Sequence, residues 1–419
     1  MKKNKILLLI GFGFILLSGG IYFYQEKNSE RMEQFQKEEK IKEIESHFSP
    51  FVKVDNKTPF YGKENGNYIE KGTFEKDAIL YLKEEKIEEN TKYFLVINFE
   101  EEYYVPYESV SPSEEKRKEK RYQNYLPFNE SIITKEITKF YQNGKLVYTF
   151  YCSFEFPIYR KENDSYYVEF ENQLFYILKE DVQDVIKKEN TTEEKTDKIA
   201  TIAYHFIYNP DKGQKCDQII CHTFEQVTSH IHYLQENHYV TLTMEEFELW
   251  IDGKINLPKN SVLITVDDGW YGDDASFIFT ENKINATIFV VSSWYNPKAF
   301  ETEYVEVHSH SDNLHNINAC LNQGLQGGGI LCLPKETLLN DLKLSREKTN
   351  MTTVFAYPFY DVNDYAIEVL KEAGFTMAFI GFDQNNSYYM KQHGNKYRIP
   401  RLTILSDTKA SDLESLLSN

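Results

Sequence analysis

From Ile199 to the C-terminus, short apolar runs alternate with amphipathic stretches, and no other feature of the chain constrains its fold as strongly. The runs Ile199–Phe206, Ser261–Val266, Ala286–Val291, Tyr304–His308, Thr353–Tyr357 and Thr376–Ile380 have the length and composition of buried strands. Between them, Phe224, Val227, Ile231 and Leu234 share one helical face, and Thr243 to Glu246 has capping-box spacing. Asn363 or Asp364 can open a further helix that Gly374 closes. Such alternation predicts an α/β barrel or an open parallel sheet, with function at the C-terminal ends of the strands.

The segments upstream differ in texture. Residues 50–187 are short Tyr, Phe, Val and Ile runs broken by charged turns, an all-β pattern. Within it, Tyr104-Val105, Glu108 and Val110 recur 72 positions later as Tyr176-Ile177, Glu180 and Val182. Two small β-barrels in tandem are expected, resembling bacterial Src-homology-3-like wall modules, or else a spacer with no ligand. The charged run 188–198 reads as a linker to a domain at 199–419. Residues 26–48, rich in Glu, Lys and Gln, read as a helical stalk. Before it, Ile6–Tyr24 carries no charge over 19 positions and follows Lys2, Lys3 and Lys5. As a helix it would span about 28 Å, matching a bilayer core, and the lysines hold its N-terminus inside. A single-pass cell-membrane anchor (residues 1–25) with an extracellular catalytic domain is expected; a cleaved signal peptide ending near Ser18-Gly19-Gly20 is the alternative.

Acidic residues outnumber basic ones by 65 to 47, a net charge of −18, which excludes nucleic acid as the principal partner. Of five cysteines, Cys216 with Cys221 and Cys320 with Cys332 are near enough to bridge, and spacing does not decide whether they do. Cys152 would remain a buried thiol.

The chemistry concentrates at two strand ends. Ser261–Val266 runs into Asp267-Asp268-Gly269, two adjacent carboxylates and a residue that permits a sharp exit. The run at Tyr304 ends in His308, His310 and His315, three imidazoles in eight positions. Imidazole nitrogen with carboxylate oxygen is a zinc-type donor set. These residues resemble the polysaccharide deacetylases of carbohydrate esterase family four: Thr265-Val266-Asp267-Asp268-Gly269 is similar to the family's T-F-D-D-G pattern, and Ser309 to His315 to its S-H-T-x-x-L-H pattern. The resemblance implies an irregular (β/α) barrel with Asp267 as general base and Asp268, His310 and His315 as metal ligands. His308 falls outside the ligand pattern, as a supporting or cleft residue. The stretch Tyr397–Ile404 lacks the C-terminal histidine of many members, whereas Ala203-Tyr204-His205 resembles the circularly permuted branch of exopolysaccharide and wall-polymer N-deacetylases. That makes His205 the expected general acid.

Val354–Phe359 matches the family's third motif in part, with no Arg before Pro358. Tyr357 is expected to lend its backbone N–H to the oxyanion. Arg401 would replace the missing Arg beside Asp267, a surface Arg being the alternative. Trp270 and Tyr271 would stack on a sugar or else pack in the core. One divalent ion is implied, Zn²⁺ first, with Co²⁺ or Ni²⁺ suiting the same ligands. The expected activity is removal of acetyl groups from N-acetylhexosamine, N-acetylglucosamine first, in a cell-wall or secreted polysaccharide. An O-acetyl esterase and an inactive wall-binding protein are the alternatives.

Overall fold

The computed structural model describes residues 51–87, 93–98, 102–114, 124–188, 194–381 and 387–417. The expected membrane span and stalk lie outside the described residues; among those described, no helix is long and apolar enough to cross a membrane. The chain divides into two compact units.

The first unit contains the Tyr- and Phe-rich strands up to Lys188. Its sequence echo has a structural counterpart. Strand Glu102–Pro106, the single turn Tyr107–Ser109 and strand Val110–Pro112 recur as Gln173–Leu178, Lys179–Asp181 and Val182–Lys187. The pairing recurs as well. Phe51–Val54 lies between Ile79–Ile87 and Val110–Pro112, as Glu130–Thr134 lies between Glu155–Pro157 and Val182–Lys187. Rather than standing as separate barrels, the two halves share a sheet, because Asn67–Phe74 pairs antiparallel with Lys145–Phe150. Their aromatic cores are continuous: Phe150 lies 4.8 Å from Phe60 and 5.5 Å from Phe140, ring centre to ring centre. Cys152, expected to be buried, is exposed; its carbonyl accepts from Thr138 Oγ1 at 2.8 Å, which holds the main chain of the turn and leaves the thiol outside.

In the second unit, two segments from within the all-β region belong with the α/β part: residues 124–129 and Tyr159–Glu162. Leu126 N–H donates to Asn256 O, Lys161 N–H to Lys254 O and Thr196 N–H to Leu257 O, each at 2.9 Å, so one loop collects all three strands of chain. The elements that position the site are β1 (Lys198–Tyr204), α1 (Phe224–Glu236), α2 (Met244–Ile251), β2 (Ser261–Val266), α3 (Gly272–Glu281), β3 (Ala286–Val290), β4 (Val305–Ser309), α4 (Lys335–Lys348), β5 (Val354–Ala356), α5 (Asp364–Ala373), β6 (Met377–Phe379) and β7 (Leu402–Thr403), beside shorter strands and a C-terminal helix. Strands β1 to β6 pair in chain order, all parallel. The sheet curls until Ile399 bridges Phe379 while β7 pairs with β1, so residues 399–403 join its two edges.

Strand parity sorts the side chains. One set, with Ile199, Leu263, Phe289, Ala356, Phe379 and Ile399, packs on Phe247 and Trp250 of α2. The other, with Ile202, Ile264, Ile288 and Val307, packs under Val227 and Ile231 of α1 and Ile278 of α3. Both faces of the sheet are thus covered, which is why β2 is buried at every position.

Behind β1 lies a buried polar cluster. Tyr204 Oη meets His230 Nδ1 at 2.9 Å, and His230 Nε2 meets Thr408 O at 3.1 Å. His222 stands 5.1 Å from the Tyr204 ring, near the Leu405 and Ile220 main chain but without a well-formed hydrogen bond to either. Burial pushes its pKa down to about 4. The unfolded chain therefore binds a proton there near pH 6.5 that the folded chain refuses until about pH 4. Stability from this group is present above pH 6.5 and falls as the pH drops through that window, by roughly 3 kcal/mol at pH 4. His222→Phe should flatten the dependence of urea midpoint on pH between 6.5 and 4, and an unchanged slope would contradict this.

Candidate active site

The parity that builds the interior face also aims the site. Continuing beyond the strand ends, His205 follows β1, Asp267 follows β2 and His310 follows β4, each in step with the interior set. Asp268 leaves that rhythm. Its φ of 69° and that of Gly269, 88°, swing the chain so that the second carboxylate reaches the histidines. Asp268 Oδ1 lies 3.2 Å from His310 Nε2 and 3.1 Å from His315 Nε2. His310 Nδ1–H donates to Ala356 O at 2.8 Å, which turns Nε2 toward Asp268. One carboxylate oxygen and two imidazole nitrogens within 4.8 Å of one another form a donor set that fits a zinc-type ion.

The chain between the two histidines is fixed at nearly every step. Asp341 accepts from the Asp312 and Asn313 N–H groups at 2.9 and 2.7 Å, and Ser311 Oγ from Leu314 N–H at 3.1 Å. Asp312 Oδ1 in turn takes Ser292 Oγ and Lys348 Nζ, each at 2.6 Å.

Asp267 is set apart from that trio. Arg401, fully buried, grips it with Nη1 on Oδ1 at 2.7 Å and Nη2 on Oδ2 at 2.8 Å. The guanidinium also donates to Thr265 Oγ1 and Ile380 O, and lies 5.3 Å from the Tyr360 ring and 5.5 Å from that of Phe289. His205 Nε2 is 3.9 Å from Asp267 Oδ2, and its Nδ1 is buried without a partner.

Burial and charge pull these groups in opposite directions. Burial alone would raise both carboxylates. Arg401 and the neighbouring imidazoles outweigh it at Asp267, and hydrogen bonds from His310 and His315 outweigh it at Asp268, which falls well below the usual range. His310, between two carboxylates, is raised despite its burial. Burial wins at His205, whose pKa is lowered.

The other expected site residues lie further out. His308 sits deeper on the same parity, its Nδ1 2.5 Å from Thr352 Oγ1 and its ring beside Phe289, away from the donor trio. Tyr357 corrects an expectation: its N–H donates to Phe379 O at 3.0 Å and its side chain is buried, so that N–H is committed to the sheet. Trp270 is exposed, packed on Phe206 and Tyr271 at 4.8 and 5.3 Å, and Tyr271 Oη donates to Lys215 O. Three aromatic neighbours stand closer: Phe359 ends the third motif, whose aromatics the sequence suggests as a wall of the groove, whereas Trp294 and Tyr360 escaped the sequence reading. Trp294, 50% exposed, and Phe359 flank His315 at 5.2 and 5.1 Å, and Tyr360 lies 6.2 Å from His205. Trp294 follows the end of β3 by four positions, a place where strand-end reasoning applies as it does to Asp267.

The chain is similar to known proteins. A family model described as polysaccharide deacetylase matches residues 254–378. The poly-beta-1,6-N-acetyl-D-glucosamine N-deacetylase of Staphylococcus aureus is 26% identical over 199 residues, covering 43% of this chain and 67% of the relative. Two solved structures align with a little over half of this chain and all of their own: a de-N-acetylase from Aggregatibacter actinomycetemcomitans (53% covered, 21% identity, TM-score 0.44) and IcaB from Ammonifex degensii (54% covered, 18% identity, TM-score 0.45). The α/β unit of this chain is a polysaccharide deacetylase domain, and the protein is a hydrolytic deacetylase.

Proposed function

We propose that the protein is a metal-dependent N-deacetylase acting on N-acetylglucosamine units of a cell-wall or secreted polysaccharide. The observation that carries this reading is the convergence of Asp268, His310 and His315 beside a separate carboxylate, Asp267, clamped by Arg401. The named activity of the Staphylococcus aureus relative supports the choice of an N-acetylglucosamine polymer. A divalent cation held by the trio would supply the Lewis acid that an unreactive amide requires.

The chain's own groups do the rest. Asp267, kept ionised by Arg401, takes the proton from the attacking water. Thr265 and Arg401 fix the direction from which it does so. With the Tyr357 N–H committed to Phe379 O, the oxyanion role expected of it passes in this reading to the main chain of the next turn, at Phe359, whose ring lies 5.1 Å from that of His315. His205 carries the proton to the departing sugar nitrogen; its lowered pKa makes the protonated imidazole a strong donor, and Asp267 is near enough to recharge it. Acetate and a free amine result. Exposed Trp270, packed on Phe206 and on half-buried Tyr271, suits a sugar face.

Residues 6–24 anchor the chain in this reading, with the catalytic unit outside the cell, where its two disulfides, Cys216–Cys221 and Cys320–Cys332, persist. The first unit's halves are Src-homology-3-like wall modules, a reading supported by the single turn before the last strand of each.

Acetate release from N-acetylglucosamine oligomers and from O-acetylated wall, with and without chelator, tests the function. Release from the oligomers alone, abolished by chelator and restored by Zn²⁺, is expected. Release only from the O-acetylated wall would make it an esterase, and release from neither a binding protein. His310→Ala should lose the ion and the activity together, read by metal analysis after dialysis.

A further inference from the structure

Of the two histidines against Asp268, only His310 is also held by a hydrogen bond through its second ring nitrogen. His315 Nδ1 is buried and has no partner. Metal-binding imidazoles are ordinarily oriented through that second nitrogen, so something else must hold this ring. Its surroundings are the rings of His310, Phe359 and Trp294, and the chain that leaves it.

That chain is closed twice. Cys320 and Cys332 are bridged, with Cα atoms 5.8 Å apart. At the entry to the bridged loop, Asn318 N–H donates to Gln326 O and Cys320 N–H to Gly327 O, both at 2.9 Å. The fold of the loop centres on one side chain from elsewhere. Asp361, 1% exposed, accepts from Leu325 N–H on Oδ1 and from Gln326 and Gly328 N–H on Oδ2, the last at 2.7 Å. Gly324, at φ 62°, lets the backbone approach, since a Cβ there would collide with the carboxylate. Asp361 also ends the turn in which Phe359 and Tyr360 have φ of 58° and 61°, unusual for large residues. That turn sets the Phe359 ring against His315 and the Tyr360 ring against Arg401.

We propose that Asp361, together with the Cys320–Cys332 disulfide, is the positioning element for His315. One buried carboxylate ties the chain leaving the ligand to the turn that packs against it, replacing the missing hydrogen bond at Nδ1. The proposal rests on the reading of Asp268, His310 and His315 as a metal centre. It follows that the competence of the centre depends on an oxidised loop. Cys332 is exposed, so a dithiol can reach the bridge; reduction transfers two electrons and two protons to give two thiols and the oxidised dithiol.

The test uses full-length protein and Zn²⁺ alone, titrated against a chromophoric chelator. Asp361→Asn presents one acceptor and an NH₂ group to three N–H donors. It should weaken Zn²⁺ binding by about 10- to 100-fold. The pair Cys320→Ser/Cys332→Ser, which leaves Asp361 and the other disulfide intact, should weaken it similarly. At saturating Zn²⁺, kcat should return to within a few-fold of wild type with KM unchanged, a split that general destabilisation would not give. In metal-free protein, the fluorescence of Trp294 should shift in both variants. If the wild type binds Zn²⁺ and both folded variants bind it equally well, the positioning role is wrong and the metal centre stands. If the wild type binds none, the metal reading itself fails. Should Asp361→Asn not fold, the cysteine pair decides alone.

Discussion

Asp267→Asn and His205→Ala are each expected to lower kcat for acetate release by about 10²–10⁴ while leaving bound metal near stoichiometric. The geometry separates the two functions. Asp267 oxygens are engaged by Arg401, and the nearer approach of Asp267 Oδ2 to His310 Nε2 is 4.0 Å, against 3.2 Å for Asp268. An amide at position 267 still accepts from Arg401 but cannot take a proton from water. Thermal melts and metal analysis on the same samples keep the comparison clean. Full turnover in both variants would refute the assignment of base and acid, whereas loss of metal from Asp267→Asn would make Asp267 a ligand.

Arg401→Met carries the largest expected cost in stability. Removing one member of a buried pair leaves the other charged and desolvated, which typically costs about 3–5 kcal/mol. Arg401 spans two functions, because residues 399–403 join the edges of the sheet and its guanidinium grips the base. Asp267 is now held below its ordinary pKa, so its contribution to stability is present above the unfolded value and is lost as pH falls through the folded one. Without Arg401 the main influence that lowers it is gone, and its pKa should rise. The acid limb of kcat/KM should therefore move to higher pH, and urea unfolding should show the loss. In the double variant Asp267→Asn/Arg401→Met, the two losses should combine to less than their sum, since each single change orphans the other member of the pair and the double change leaves no buried charge behind. Strict additivity would mean that the pair does not act as a unit.

Both experiments concern residues that were legible before any coordinates, and the reason is local. A buried strand alternates its side chains, so an Asp-Asp pair at its end sends one carboxylate along the interior face and leaves the other to the turn. Asp267 and Asp268 divide in this way. The three imidazoles were equally visible, but which of them converge was not. His308 shares the parity of His310 yet lies two residues deeper, with Thr352. Tyr357 failed as a donor because whether an N–H is available depends on what the neighbouring strand accepts, here Phe379 O. Cys152 was misjudged because an apolar setting in sequence does not reveal the outward side of a turn.

What the linear chain determined is the succession of strands and helices, the residue types at each strand end and the side of the sheet each would face, since these follow from periodicity and from neighbours a few positions away. Only the tertiary structure decided which distant segments meet. Arg401 reaches Asp267 across 134 positions, and Asp361 gathers the main chain of residues 325–328 from more than thirty positions away. Such pairings depend on how the sheet curls and where its loops return, and a carboxylate that binds backbone N–H groups leaves no side-chain partner for a sequence to display.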